Sequence, residues 1–264
     1  MTGVLRIGAQ GDEVKRLQQA LKGRGFSPGL VDGDFGAGTE QAVLAFQRSQ
    51  GLLADGLAGP RTQAALGLVA DNALPDGTAG MTLQVASRMC PGALLDNIHA
   101  NLPVVLDALV SHSLAGRTMV LMAVATIRVE TASFLPISEG RSKFNTSPGG
   151  APFDLYDNRS DIGNQGPPDG ERFRGRGFVQ LTGRDNYERY GTRLGVDLVA
   201  HPELANAADV AADLLCLFLG DRELNIKDAL MHENWAAARR LVNGGTHGLE
   251  DFADAYRIGD SMLP

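Results

Sequence analysis

Apolar side chains at Val14, Leu17, Ala20 and Leu21 recur at three- and four-residue intervals, the spacing of one helix face. The run stops at Gly23-Arg24-Gly25, a break that ends a helix. A second helix is predicted to bury Val43 and Phe46. A short third runs from about Pro60, which takes the favoured first helical position, to Leu66. Beyond residue 80 the same periodicity predicts helices at about 82–89, 92–100, 102–113, 117–132, 184–194, 207–222, 234–241 and 248–259. No period-two alternation is sustained, and Phe178-Val179-Gln180-Leu181 is the one stretch read as a short extended segment. The pattern is that of an all-α protein.

Two features divide it. Asp32-Gly33-x-x-Gly36-x-x-Thr39-x-x-Ala42 recurs as Asp55-Gly56-x-x-Gly59-x-x-Thr62-x-x-Ala65, 23 residues later, each copy a tight turn followed by a helix start. The stretch DNALPDGTAG (71–80) has the Asp, Asn, Pro and Gly content of a linker. The organisation expected is a three-helix module over 1–70, a linker over 71–80 and a helical domain over 81–264. Three helices in some 65 residues give a small core. Composition alone is also compatible with a helical adaptor that binds nothing.

Of 264 residues, 44% are hydrophobic and 21% charged, which excludes wholesale disorder. The net charge of −7 argues against a nucleic-acid partner. Its acids concentrate late, with 17 bases against 23 acids in residues 81–264. The most apolar stretch, Met119–Ile127, is far shorter than the ~20 residues of a membrane span. The N-terminal MTGVLRIGAQGDEVKR lacks a signal-peptide core, so synthesis in a cytoplasm is expected. Cys90 and Cys216 read as buried thiols, and two thiols alone make no metal site. His99, His112, His201, His232 and His247 are scattered without a paired-His motif, which disfavours a zinc amidase or peptidase. No metal or cofactor is expected.

Candidate chemistry begins at the end of the helix from Arg117. Val120, Ala123, Val124 and Ile127 define its core-facing stripe, and Glu130 falls on that face while Arg128 points away. A partly desolvated carboxylate there suits a general acid, although a glutamate at a fraying helix end that only meets solvent gives the same pattern. Nine residues on stands Glu139, outside any helix. From Asn145 to Gly170 the chain carries five Gly and four Pro in 26 residues, a length of irregular loop that is usually functional. One carboxylate on a helix and one on a mobile loop form a plausible pair for glycoside cleavage. Thr182, three residues before Asp185, resembles a capping box, and its hydroxyl at a helix start is also placed to hold water. Gln180, Asn186 and Tyr187 add the neutral hydrogen-bonding groups that read sugars. Asn243-Gly244-Gly245 reads equally as a helix stop, and Trp235 as a core residue rather than a sugar platform.

Two resemblances join these residues. The sequence GDEVKRLQQALKGRGF…VDGDFGAGTEQAVLAFQRSQGLLADGLAGPRTQAAL, within residues 5–68, resembles the peptidoglycan-binding module of many cell-wall hydrolases. That implies a groove for wall glycan or stem peptide, with Asp32, Asp34, Phe35 and Thr39 as candidate contacts. The runs LYDNRSDIGN (155–164), DGERFRGRGFVQLTGRDNY (169–187) and ARRLVNGGTHG (238–248) resemble plant-chitinase-like family 19 glycoside hydrolases, most closely the branch found in bacteriophage endolysins. The resemblance implies a lysozyme-like helical fold with Glu130 as general acid, Glu139 as general base and Thr182 positioning water. It implies Gln180, Asn186, Tyr187 and Asn243 along the sugar cleft, and Arg240 or Arg239 supporting the carboxylates. Val-Glu-Thr-Ala replaces the family's usual His-Glu-Thr around Glu130, a departure that weighs against chitin. The function expected is an inverting endolysin that cuts the β-1,4 glycan of bacterial peptidoglycan, monomeric, reaching the periplasmic wall through a holin. A chitinase of the same family and a non-catalytic wall-binding protein are the alternatives.

Overall fold

The computed structural model describes residues 4–50, 52–69 and 76–263, and the chain divides into two compact units, Met1–Pro75 and Asp76–Pro264. Residues 71–75 of the expected linker lie outside the described residues. Residues 76–80 are part of the second unit, where Gly77 N donates to the Ala115 carbonyl at 2.7 Å.

In the first unit, α1 (Asp12–Gly23), α2 (Ala37–Ser49) and α3 (Pro60–Ala65) enclose Val14, Leu17, Leu21, Phe35, Val43 and Phe46, with Phe26 edge-on to Phe46. The sequence repeat has a physical cause. The α1 residue Gln18 donates Nε2 to Asp32 Oδ1 (3.0 Å) and Thr39 Oγ1 (3.1 Å), while Gly33 N donates to Gln18 Oε1 (2.9 Å). The second copy repeats this with Gln47 of α2, which donates to Asp55 Oδ1 (2.8 Å) and Thr62 Oγ1 (3.1 Å) and accepts from Gly56 N (3.0 Å). Each buried glutamine thus satisfies the turn that follows its helix, and the repeated Asp, Gly and Thr are what its amide requires. Gly33 and Gly56 have φ of +88° and +75°, which explains glycine at both turns.

The second unit is built round α6 (Arg117–Thr131). Every side chain from Met119 to Ile127 is fully buried, so this helix has no solvent face and its one-sided stripe understates its burial. It is wrapped by α4 (Leu83–Met89), α10 (Ala208–Gly220), α11 (Glu223–Met231) and α13 (Leu249–Met262), and α5 (Leu95–Ser111) packs on α10. Arg128 does point away from the core: it donates to the Met89 carbonyl at the end of α4 and to Asp251 and Asp254 on α13. The unit also contains β1 (Ile137–Ser138), α7 (Asp154–Asp157), α8 (Asp169–Arg172), β2 (Arg176–Gly177), α9 (Arg184–Leu194), α12 (Trp235–Asn243) and two short 3-10 turns at Ser160–Ile162 and Pro202–Asn206. No helix among the described residues is long and apolar enough to cross a membrane.

The chain departs from its periodicity in three places. The helices expected at 92–100 and 102–113 are one, because Ile98, Asn101, Leu102, Val105, Ala108 and Leu109 form one continuous buried stripe and Pro103 lies on the exposed face. A helix not anticipated, α11, forms on Ile226, Ala229 and Leu230. The extended segment lies at Arg176–Gly177, paired antiparallel with Ile137–Ser138, and Phe178–Leu181 folds back over it with Gln180 at φ +51°. Trp235 stacks edge-on against Tyr256, in keeping with a core role. Cys90 and Cys216 are free and buried, and burial pushes both thiols up to about 12.

Candidate active site

Glu130 lies where α6 leaves the core, its side chain 14% exposed. From α12, the fully buried Arg239 donates Nη1 to Glu130 Oε1 at 2.6 Å and Nε to the His247 carbonyl at 2.9 Å. A charge-assisted bond to a rigid guanidinium therefore fixes one carboxylate oxygen. Oε2 has no hydrogen-bond partner among the described residues. Asn243 ends α12, accepts from Gly245 N at 2.9 Å and donates to the same His247 carbonyl at 3.3 Å. Its helix-stop role is real, and it also joins the Glu130 cluster. Arg240, one position on, faces a different surface, an open cavity of about 510 Å³ shared with Asn225, Asp228 and His232. Of the two arginines it is Arg239 that supports a carboxylate, because adjacent helical residues point about 100° apart. Beyond Glu130 the chain turns sharply through Ala132 (φ +54°) and Phe134 (φ +59°), left-handed conformations rare for residues with a Cβ. The buried Phe134 ring lies 6.3 Å from that of Phe178, so the same packing supports the segments that carry both glutamates.

Glu139 follows β1 and extends its pairing, its N donating to the Gly175 carbonyl at 2.7 Å. Its carboxylate receives three donors: Asn145 Nδ2 (2.9 Å) and Tyr156 Oη (3.0 Å) at Oε1, and Gly175 N (3.2 Å) at Oε2. Asn145 is completely buried. Burial, reinforced by the adjacent Glu139 charge, pushes the Tyr156 hydroxyl up to about 12, so it remains a donor. Gly175 is required for this approach, since a Cβ there would lie 2.9 Å from Gln180 Oε1 and 3.3 Å from Glu139 Oε2. Sequence reasoning singled out neither Asn145 nor Tyr156. Tyr156 lies within LYDNRSDIGN, which is the one signal that marks it.

The Gly- and Pro-rich segment is stapled rather than free. Asp157 Oδ1 accepts from Gly170 N (2.8 Å), Asn164 donates to the Tyr156 carbonyl (2.8 Å) and accepts from Arg184 N (2.9 Å), and Asp169 takes a bidentate bond from Arg184 at 2.8 and 2.6 Å. That guanidinium holds the Asp169 carboxyl below the usual range.

Gln180, Thr182 and Asn186 form a short chain beside Glu139. Gln180 Nε2 donates to the Ile137 carbonyl (2.9 Å), Thr182 Oγ1 to the Gln180 carbonyl (2.9 Å), and Asn186 Nδ2 to the Thr182 carbonyl (2.7 Å). All three are half-buried. The N-cap of α9 is Gly183 and has no side-chain cap bond, so the capping-box reading of Thr182 and Asp185 does not hold. Tyr187 is fully buried. It donates to the Arg174 carbonyl (2.7 Å) and accepts from Arg176 (2.9 Å), so it supports the 174–176 segment from within and offers no surface to a sugar. In the first unit, Phe35 and Thr39 are likewise buried, and Asp32 is held by Gln18 and the Asp34 amide. Of the four residues expected to line a groove, Asp32 and Asp34 are the exposed ones.

Residues 10–66 match the family described as "Putative peptidoglycan binding domain". The N-acetylmuramoyl-L-alanine amidase CwlM of Mycobacterium tuberculosis is 52% identical over 52 residues, 20% of this chain and 13% of that protein. A glycosyl hydrolase family 19 domain-containing protein of Haemophilus influenzae is 31% identical over 112 residues, 39% of this chain and 48% of that protein. The chain thus spans less than half the length of these curated relatives. A crystal structure of a bacterial family 19 chitinase superposes with a TM-score of 0.50 at 20% identity, covering 69% of this chain and 95% of that one. The chain therefore joins a module of the peptidoglycan-binding type to a mostly helical unit with the family 19 chitinase fold.

Proposed function

We propose that the chain is a peptidoglycan hydrolase of the endolysin kind, in which the first unit holds it to the bacterial wall and the second cuts the β-1,4 glycan with inversion. What carries this reading is the unequal treatment of the two glutamates. Glu130 has one oxygen fixed by Arg239 and the other without a hydrogen-bond partner among the described residues, so the second oxygen can be offered to the leaving oxygen. Glu139 accepts three hydrogen bonds that fix the direction of both its oxygens, as a base that must meet a water at a set position needs. In the proposed reaction Glu130 protonates the glycosidic oxygen while Glu139 takes a proton from a water held by Thr182. That water attacks the anomeric carbon from the opposite face. Gln180, Asn186 and Asn243 would contact the sugars, and Asp32 and Asp34 the wall polymer at the first unit. The family 19 fold, the module and the assembly around Glu139 support the reading. Release of the enzyme to the wall through a holin, in the lysis of a host cell, belongs to the same proposal.

Proton NMR of early products tests it. New reducing ends should appear first as the α-anomer, and Glu139→Gln should abolish them while fragment binding persists. A β-anomer appearing first, or a 1,6-anhydro end, would overturn the role given to Glu139. The second reading, a chitinase, rests on the shared fold, and chitin oligomers cleaved faster than peptidoglycan fragments would favour it.

A further inference from the structure

The segment Gly140–Phe144 is tied directly to the candidate base. Asn145 donates to both Glu139 Oε1 and the Gly140 carbonyl at 2.9 Å, and its Oδ1 accepts from Ser142 N at 2.8 Å. Thr146 N closes the turn on the Ser142 carbonyl at 3.0 Å. One buried side chain thus fixes the carboxylate and the five residues beside it in a single frame. What that frame displays is unusual for this unit. Phe144 is 77% exposed, more than any other large apolar side chain described between residues 76 and 263, and Lys143 Nζ lies 5.1 Å from its ring centre. Arg141 is exposed and has no hydrogen bond or ion pair among the described residues.

Several other cations of the unit are held by its own acids, Arg128 by Asp251 and Asp254, Arg184 by Asp169, Arg189 and Arg193 by Asp221, whereas Arg141 and Lys143 have no ion pair among the described residues and stand beside Glu139. No acidic residue stands between Glu139 and Asp154. An acidic protein approaching an anionic polymer is repelled at long range, and unpaired cations beside the reacting centre supply local attraction. Chitin carries no carboxylates, whereas peptidoglycan carries them on the stem peptides that branch from alternate sugars.

We propose that Arg141 and Lys143 receive stem-peptide carboxylates while Phe144 covers the apolar face of a neighbouring sugar, so that this arm selects anionic wall glycan over neutral glycan. The proposal rests on the hydrolase reading above and adds the basis of substrate choice. The test compares the full chain with R141Q/K143Q on soluble peptidoglycan fragments, native or with their carboxyls converted to methylamides. Loss of two exposed pairs in R141Q/K143Q should raise KM on native fragments about 3- to 30-fold, with kcat far less affected. The difference should shrink in high salt and vanish on the amidated fragments. The charge-conserving R141K/K143R should restore the native KM. Phe144→Ala should raise KM on both substrates. An unchanged KM in R141Q/K143Q, or an equal loss on native and amidated fragments, would overturn the proposal. Failure of the unsubstituted chain to cleave either substrate would instead overturn the hydrolase reading. Calorimetric binding of the same fragments would then still decide the arm, since R141Q/K143Q should weaken binding of the native ones alone.

Discussion

Glu130 and Glu139 are both partly buried acids, yet their partners differ: a guanidinium at one oxygen of Glu130, and three neutral donors spread over both oxygens of Glu139. The guanidinium of Arg239 reaches Glu130 from a helix that is itself closed onto the 243–248 turn by Asn243. The position of one oxygen is therefore set by packing, not by solvent. Replacing Glu130 with Gln keeps the shape and an oxygen for Arg239 but removes the transferable proton. General acid catalysis contributes about 10²–10⁴ in rate, so E130Q should fold, bind fragments and lose activity at the upper end of that range. Circular dichroism and a turbidity assay on permeabilised cells check both halves. Retention of more than about a tenth of the wild-type rate would remove Glu130 from the acid role.

At the scale of elements, the site depends on a few tight junctions rather than on long regular structure. One is the clamp between α8 and α9, where the side chain of Asp169, 4% exposed, meets Arg184. Because Arg184 lowers the Asp169 carboxyl in the folded chain, the ionised form is favoured there relative to the unfolded chain. Its contribution to stability is complete above the unfolded carboxylate value of about 4 and is lost as pH falls through the lower folded value. Asp169→Asn should cost about 3 kcal/mol at neutral pH by leaving Arg184 partly buried and unpaired. Thermal melts from pH 7 to pH 2 should show the wild-type advantage shrinking only below about pH 4. An advantage that persists unchanged at pH 2 would contradict this linkage. Junctions of this kind are the part of the molecule that the sequence does not display. Helix phase marks Glu130 and a motif run marks Thr182, whereas Glu139 is marked only by its place nine residues on in a non-helical stretch and by the family resemblance; α9 has the predicted bounds because its ends are marked by Gly183 and Gly195. Tyr187 carries the same motif signal but points inward, and periodicity cannot tell a ring that faces a sugar from one that faces the core. Asn145 and the paired Gln18 and Gln47 leave no local signature, because their role is to satisfy backbone and side chains as far as 21 positions away. Arg239 and Arg240 are neighbours in sequence, and only the packing of α12 decides which of them reaches Glu130.

For the whole molecule, the division into two units sets what each can contribute. Both have their own buried cluster, the first centred on Leu17, Val43 and Phe46 and the second on α6. The boundary of the second unit falls before Asp76, because Gly77 bonds to Ala115 and fits against the backbone of Arg117. A fragment that begins at residue 81 would strip that contact from the start of α6, so the informative fragment is 76–264. It should melt cooperatively, since the described residues of the core round α6 all belong to 76–264. On soluble glycan fragments it should match the full chain in kcat. On intact wall it should fall behind by tenfold or more, because a tethered binding module acts by raising effective concentration, an effect typically worth about 10²–10⁴ when both sites engage. Adding the separate 1–75 module in trans should not restore the lost rate, since the tether is what produces the concentration. If the folded 76–264 fragment is inert on soluble glycan, the first unit contributes to the chemistry itself. If its rate on intact wall equals that of the full chain, the first unit has no anchoring role on the wall tested.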